Sequence, residues 1–288
     1  MLWTLAFGAA FASEPFDLEA GARALGMGGA YSALAQGPEA AFWNPASVSG
    51  GLFLSHGAHF QGLLLEQVAA GKSELFGKWS GALSLHYLGA GDIKKTQLGD
   101  TTRPPGDDNP PEVIGTTSYG AFQLGLALGN GKLGARLKLL YERADEESAF
   151  GGGLDLGLWG KLGPAPWALV LRDAAGTPLV WTTGRKEVTP PSLWLSAAPG
   201  GSWWTLSLEA VARAEGREGE AFKLGDFTLE PRLGAEARLG PAALRAGLRA
   251  GSPTLGAGVS WRQLAVDYAF LYHTDLGASH RLSLSWAW

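Results

Sequence analysis

From about residue 51 to the carboxyl terminus, apolar and polar side chains alternate with a period of two. Phe122, Leu124, Leu126 and Leu128 oppose Ala121, Gln123, Gly125 and Ala127. Leu133, Leu137, Leu139 and Tyr141 oppose Arg136, Lys138 and Glu142, and Trp204, Leu206 and Leu208 oppose Thr205, Ser207 and Glu209. At the end of the chain, Leu282, Leu284, Trp286 and Trp288 fall on one face and Arg281, Ser283, Ser285 and Ala287 on the other. Side chains of an extended backbone point alternately to its two sides, so each stretch reads as a strand with one greasy face. The spacing predicts about fourteen strands, over 51–60, 62–70, 78–92, 113–129, 132–144, 150–160, 166–174, 189–198, 202–213, 226–239, 241–250, 254–262, 263–273 and 279–288.

The connections differ by parity. Asn130-Gly131, Gly163 to Pro166, Pro199 to Gly201 and Gly240-Pro241 are tight turns, whereas the intervening connections 91–112, 145–149, 174–188 and 214–225 are longer. Outer-membrane barrels place short turns on the periplasmic side and longer loops outside. A soluble sandwich or propeller would bury its apolar faces against each other, and it leaves the terminal Trp286 and Trp288 unexplained. An aromatic at a membrane–water interface is at home there.

Composition narrows the picture further. Apolar residues make up 46% of the 288 positions and charged residues 17%, a low charge content for a soluble chain. Even so, no apolar run approaches the roughly 18 residues of a helical membrane span. Cysteine is absent, so there is no disulfide framework or thiol chemistry, and a net charge of −4 gives no reason to propose nucleic acid. Residues 1–12 read as a signal peptide ending in Ala10-Phe-Ala12, although no basic residue precedes the apolar stretch; a first buried strand is the competing reading. Residues 13–50 lack the alternation. Pro38 would open a short helix that Asn44-Pro45 stops. Too short to be a domain, this piece needs a surface to pack on, and the inside of a barrel supplies one.

The string GARALGMGGAYSALAQGPEAAFWNPAS resembles the amino-terminal signature of the long-chain fatty-acid transporter (FadL-like) and PorV/PorQ families of outer-membrane proteins. The stretches LVLRDAAGTPLVWTTGRKEVTPPSLWLSAA and VDYAFLYHTDLGASHRLSLSW are similar to PorV-type members. The resemblance implies a fourteen-stranded barrel whose amino-terminal residues form a hatch in the lumen, with Asn44, Pro45 and Ala46 in that hatch. It implies either passive passage of hydrophobic molecules or, in the other branch, a part in protein secretion.

The fold expected is therefore all-β: a transmembrane antiparallel barrel in a bacterial outer membrane, with residues 13–50 as hatch and 51–288 as barrel. A hydrophobic substrate would meet the hatch residues Leu25, Met27, Tyr31 and Phe42. Arg232, Arg238, Arg245, Arg249 and Arg262 would form a basic lumenal wall for an anionic head group, or else pair across strands with acidic neighbours. Partners would be membrane lipid, a hydrophobic small molecule and, in the second branch, a protein held by outer loops such as 91–112. Nothing in the sequence assembles a catalytic set, a cofactor motif or a metal site. His56 and His59 fall on opposite faces of a strand; Asp107-Asp108-Asn109 lacks the spacing of a calcium loop; Gly71-Lys72-Ser73 lacks the upstream glycine of a phosphate loop.

Overall fold

Fourteen strands hydrogen-bond in sequence and then close on themselves. In the computed structural model they are β1 (Gly51–His59), β2 (Leu63–Phe76), β3 (Trp79–Leu98), β4 (Pro111–Gly129), β5 (Leu133–Ala144), β6 (Glu147–Leu162), β7 (Ala165–Arg172), β8 (Ser192–Ala197), β9 (Trp204–Arg213), β10 (Phe227–Leu239), β11 (Ala242–Arg249), β12 (Ser252–Trp261), β13 (Leu264–His273) and β14 (Gly277–Trp286). All neighbouring pairs are antiparallel, and β14 returns to β1 with register His280↔Ala58 through Trp286↔Leu52. The structure describes residues 10–11, 16, 18, 20–60, 62–213, 222–249, 251–273 and 276–288. Most of the signal-peptide expectation lies outside these residues; Ala10–Phe11 form a two-residue parallel pairing with Glu187 and Val188.

The alternation sets which face is which. Leu124, Leu126, Leu137, Leu139, Leu206, Leu208, Leu282 and Trp286 are exposed on the outside, while Gln123, Arg136, Lys138, Ser207, Glu209 and Arg281 are buried within. Aromatic side chains mark two levels on the exterior. Tyr87, Phe122, Tyr141 and Phe150 form a row across β3 to β6, with the first pair of rings 4.6 Å apart and the last 4.9 Å. At the other end stand Trp79, Trp203, Trp261, Trp286 and Trp288. From Trp79 to Tyr87 the strand rises about 26 Å, or roughly 20 Å along the barrel axis at the usual tilt, close to the apolar band of an outer-membrane barrel. A closed barrel with such a belted apolar exterior is an integral outer-membrane protein.

All turns at the tryptophan end are short: 77–78, 130–132, 163–164, 198–203, 240–241 and 262–263. This end is periplasmic by the loop-length rule. The outer end departs from the sequence expectation in three places. The segment 91–112 is largely strand, because β3 and β4 continue past the aromatic row as a ribbon that pairs Ile93↔Thr117 out to Leu98↔Pro111. The segment 174–188 holds a hairpin, Thr177–Trp181 with Lys186–Thr189, which leans on β6. The connection expected over 145–149 is only two residues, 145–146, because β6 already begins at Glu147.

Residues 20–48 lie inside the barrel. Gly37 and Pro38 accept from Ala40 and Ala41 to start the helix Ala40–Trp43. It stops where Asn44, preceding a proline, takes extended angles (φ −143°, ψ 105°). Asn44 Oδ1 then accepts from the Ala46 N–H at 3.0 Å and caps a 3₁₀ turn, Pro45–Ser47. Small wall residues admit this backbone. A Cβ on Gly129 would sit 2.1 Å from the Pro45 carbonyl oxygen, one on Gly134 2.3 Å from the Pro45 carbonyl carbon, and one on Gly157 2.1 Å from Asn44 Oδ1. Across the lumen, Gly234 and Gly247 do the same for Met27 and Gly28, at 2.4 and 2.2 Å.

Candidate functional site

The amino-terminal segment divides the lumen. Its outer surface, with Phe16, Leu18, Ala20, Phe42 and Trp43, floors a cavity of about 60 Å³ whose walls come from β3 to β8. Strand alternation sends Arg136 and Lys138 inward from β5, Asp155 from β6, Arg172 from β7 and Trp194 from β8. Lys138 Nζ lies 2.8 Å from Asp155 Oδ1 and 2.6 Å from Asp173 Oδ1. Arg136 donates to Gln123 Oε1 at 2.7 Å and stands 3.6 Å from Asp155. Arg172 donates to the Phe42 carbonyl at 2.8 Å, and its guanidinium stacks 3.6 Å above the Trp194 ring. Arg232 covers the same ring at 4.5 Å. Three cations therefore face two carboxylates around this cavity, beside the rings of Phe16, Phe42, Trp43 and Trp194. Such a surface suits a molecule with an apolar body and an acceptor group.

A second opening, about 500 Å³, faces the periplasm and is lined by Arg23, Glu39, Glu236, Arg238, Arg245 and Asp267 among others. Glu236 accepts from three guanidinium groups: Arg23 Nε at 2.9 Å, Arg238 Nε at 3.0 Å and Arg245 Nε at 2.7 Å. Arg245 also donates to Asp267 at 2.7 Å. Since Arg23 belongs to the amino-terminal segment, this cluster ties that segment to β10 and β11. Tyr31 donates to Glu39 Oε1 at 2.5 Å. Burial pushes the Glu39 carboxyl up to about 7, against the opposing pull of the Tyr31 hydroxyl and the Arg23 charge. Between the two openings the rings of Tyr31, Phe42, Trp43, Phe53 and Trp194 pack in one cluster.

The residues singled out in the sequence scatter over this arrangement. Phe42 lines the outer cavity. Leu25 and Met27 are fully buried and line none of the described cavities, and Tyr31 sits in the central cluster. Asn44, Pro45 and Ala46 press on the wall glycines. The five arginines do not form one wall. Arg232 and Arg249 hold Glu230 at 2.7 and 3.1 Å, while Arg238 and Arg245 hold Glu236 further toward the periplasm. Arg262 is a correction: it occupies the 262–263 turn with φ 55° and lies over the Trp261 ring at 5.0 Å, outside the lumen. Its parity is that of the lumenal positions, but β12 ends one residue before it. Trp43 and Trp194 were missed; an aromatic on a strand's otherwise polar face, as Trp194 is between Ser192 and Ser196, is the signal that finds one of them.

No protein-family model and no curated protein matches the chain. Solved structures do. One structure of the Pseudomonas putida toluene transporter TodX superposes with a TM-score of 0.62 at 13% identity, covering 96% of this chain and 98% of that one. A second gives 0.59 at 13% identity, covering 93% and 98%. The TodX monoaromatic hydrocarbon channel deltaS2 mutant gives 0.55 at 11%, covering 92% and 96%. At this identity the likeness is one of fold.

Proposed function

We propose that the barrel passes hydrophobic or amphiphilic small molecules, fatty-acid-like in having a greasy body and an anionic head, by passive diffusion, and that residues 13–50 act as a movable hatch. The observation that carries this reading is the outer cavity, where an aromatic floor built by the hatch meets a wall with an excess of cations. TodX, with which the chain shares its fold, is described as a toluene transporter, which supports a hydrophobic cargo. Charge pairing keeps Arg136 and Lys138 in place, and Arg172, held by the Phe42 carbonyl, couples the wall to the hatch.

Because the chain has no cysteine, the hatch can be locked. Ala22 N–H donates to Ser283 Oγ at 2.7 Å, so Ala22→Cys with Ser283→Cys places two thiols at this contact. Oxidation of the pair is expected to stop uptake of a fluorescent fatty acid or of toluene into proteoliposomes, and reduction to restore it. Uptake that ignores the crosslink removes the moving hatch from the mechanism.

A second reading, a component of a secretion or envelope machine, draws on the outer ribbon. Its Ile93, Val113 and Ile114 are exposed beyond the aromatic row, and both edges of 111–116 and 91–98 lack a third strand among the described residues. A pull-down from detergent extracts that recovers a partner with the intact chain, and none after the ribbon is shortened, separates this reading from the first.

A further inference from the structure

On the lipid-facing exterior, near the periplasmic rim, the wall dips into a furrow of about 840 Å³. Its lining is apolar: Trp79, Leu133, Ala135, Leu158, Leu171 and Leu193 are characteristic, and Gly134 and Gly157 form its bed. The furrow has a cause. Gly134 and Gly157 are the positions where the wall meets the Asn44–Pro45 backbone without a Cβ between them. The strands can therefore be drawn toward the lumen there, and the outside surface sinks. It runs across the strands from the Trp79 level to the row Leu156↔Leu171 and Leu193↔Leu171, inside the hydrocarbon band. Water has no place in such a site, and neither has the outer leaflet.

The rim is basic. The Ser80↔Gly129 pairing joins the two strands whose turns hold Lys78 and Lys132, and each lysine is next in sequence to a furrow residue, Trp79 and Leu133. Both lysines are exposed in turns at the mouth of the furrow, with Phe76 and Trp79 at the level of the interface. Lys72 and Glu74 at the end of β2 carry opposite charges, so they add no net charge to the rim. We infer that the furrow binds an anionic phospholipid of the periplasmic leaflet, its acyl chains along the leucine row and its phosphate between Lys78 and Lys132. The volume falls in the range of ordinary ligand sites, and lysines at a membrane surface favour anionic over zwitterionic head groups.

Native mass spectrometry of the full chain released from bilayers of mixed phosphatidylglycerol and phosphatidylethanolamine tests this. The expected result is retained phosphatidylglycerol in excess over phosphatidylethanolamine. Ala135→Phe fills the furrow and should remove most of the retained lipid. Lys78→Ala with Lys132→Ala touches no packed residue and should cut phosphatidylglycerol retention roughly tenfold while leaving phosphatidylethanolamine unchanged. Equal retention of both lipids by the unaltered protein, or a lysine double variant that keeps its preference, overturns the assignment. Should Ala135→Phe fail to fold, as judged by heat-modifiable migration, the lysine variant decides alone.

Discussion

Glu236 concentrates the electrostatics of the lumen in a single side chain. Its two oxygens take hydrogen bonds from Arg23, Arg238 and Arg245, so the carboxylate is outnumbered, and Asp267 relieves one of the three cations. Arg245 is nearly buried (side chain 5% exposed), whereas Arg23 and Arg238 retain 31% and 42% of their exposure and are partly screened by water. Removing the carboxylate therefore costs mainly at Arg245. Glu236→Ala should lower unfolding stability by about 3 kcal/mol, the lower end for breaking a buried pair. Glu236→Gln should cost less, since it still accepts hydrogen bonds. Urea unfolding in lipid vesicles, followed by tryptophan fluorescence, reads the difference; equal midpoints for all three proteins would mean that the cluster contributes nothing to holding the segment.

Among the elements, the barrel strands were legible from alternation alone, because lipid on one side and a polar lumen on the other enforce a strict period of two. What escaped was structure beyond the membrane, where both faces meet water and the pattern lapses. The ribbon pairing 93–98 with 111–117 carries lysines, threonines and Pro111, which an unpaired edge tolerates because no ladder partner needs its N–H. Its base is fastened at Asp145, which pairs with Lys95 at 2.5 Å and accepts from Thr117 at 3.0 Å. These hydrogen bonds hold the Asp145 carboxyl below its ordinary range. Since the ribbon's residues are mostly exposed, replacing 93–116 by a two-residue Asn-Gly turn should change barrel stability by less than about 1 kcal/mol. A loss of heat-modifiable folded protein after this replacement would show that the ribbon supports the barrel.

At the scale of the whole molecule, the candidate site was only half legible. Which residues point inward follows from parity, and so Arg136, Lys138 and Arg172 could be placed in the lumen. Which of them meet depends on the height at which each strand crosses its neighbours and on the shape of the segment that fills the barrel, and neither leaves a periodic trace. The wall glycines are the clearest case: Gly129, Gly134 and Gly157 come from three strands, yet they serve one short stretch of backbone. Gly247→Val, whose Cβ would fall 2.2 Å from the Gly28 nitrogen with both backbones fixed, should cost about 1–3 kcal/mol through overpacking. A cysteine placed at the buried Ser32 should then react faster with a maleimide, and an unchanged rate would mean that the wall yields instead.

Closure of β14 onto β1 has a consequence for biogenesis. The lumenal segment touches Gln67 on β2 and Ser283 on β14, the first and last regions of the barrel to be synthesised, and Gly50-Gly51 runs directly from it into β1. A cork joined to the first stave by so short a tether cannot be pushed in after the cask is hooped. The nascent sheet must wrap around it, with the final hairpin sealing both at once.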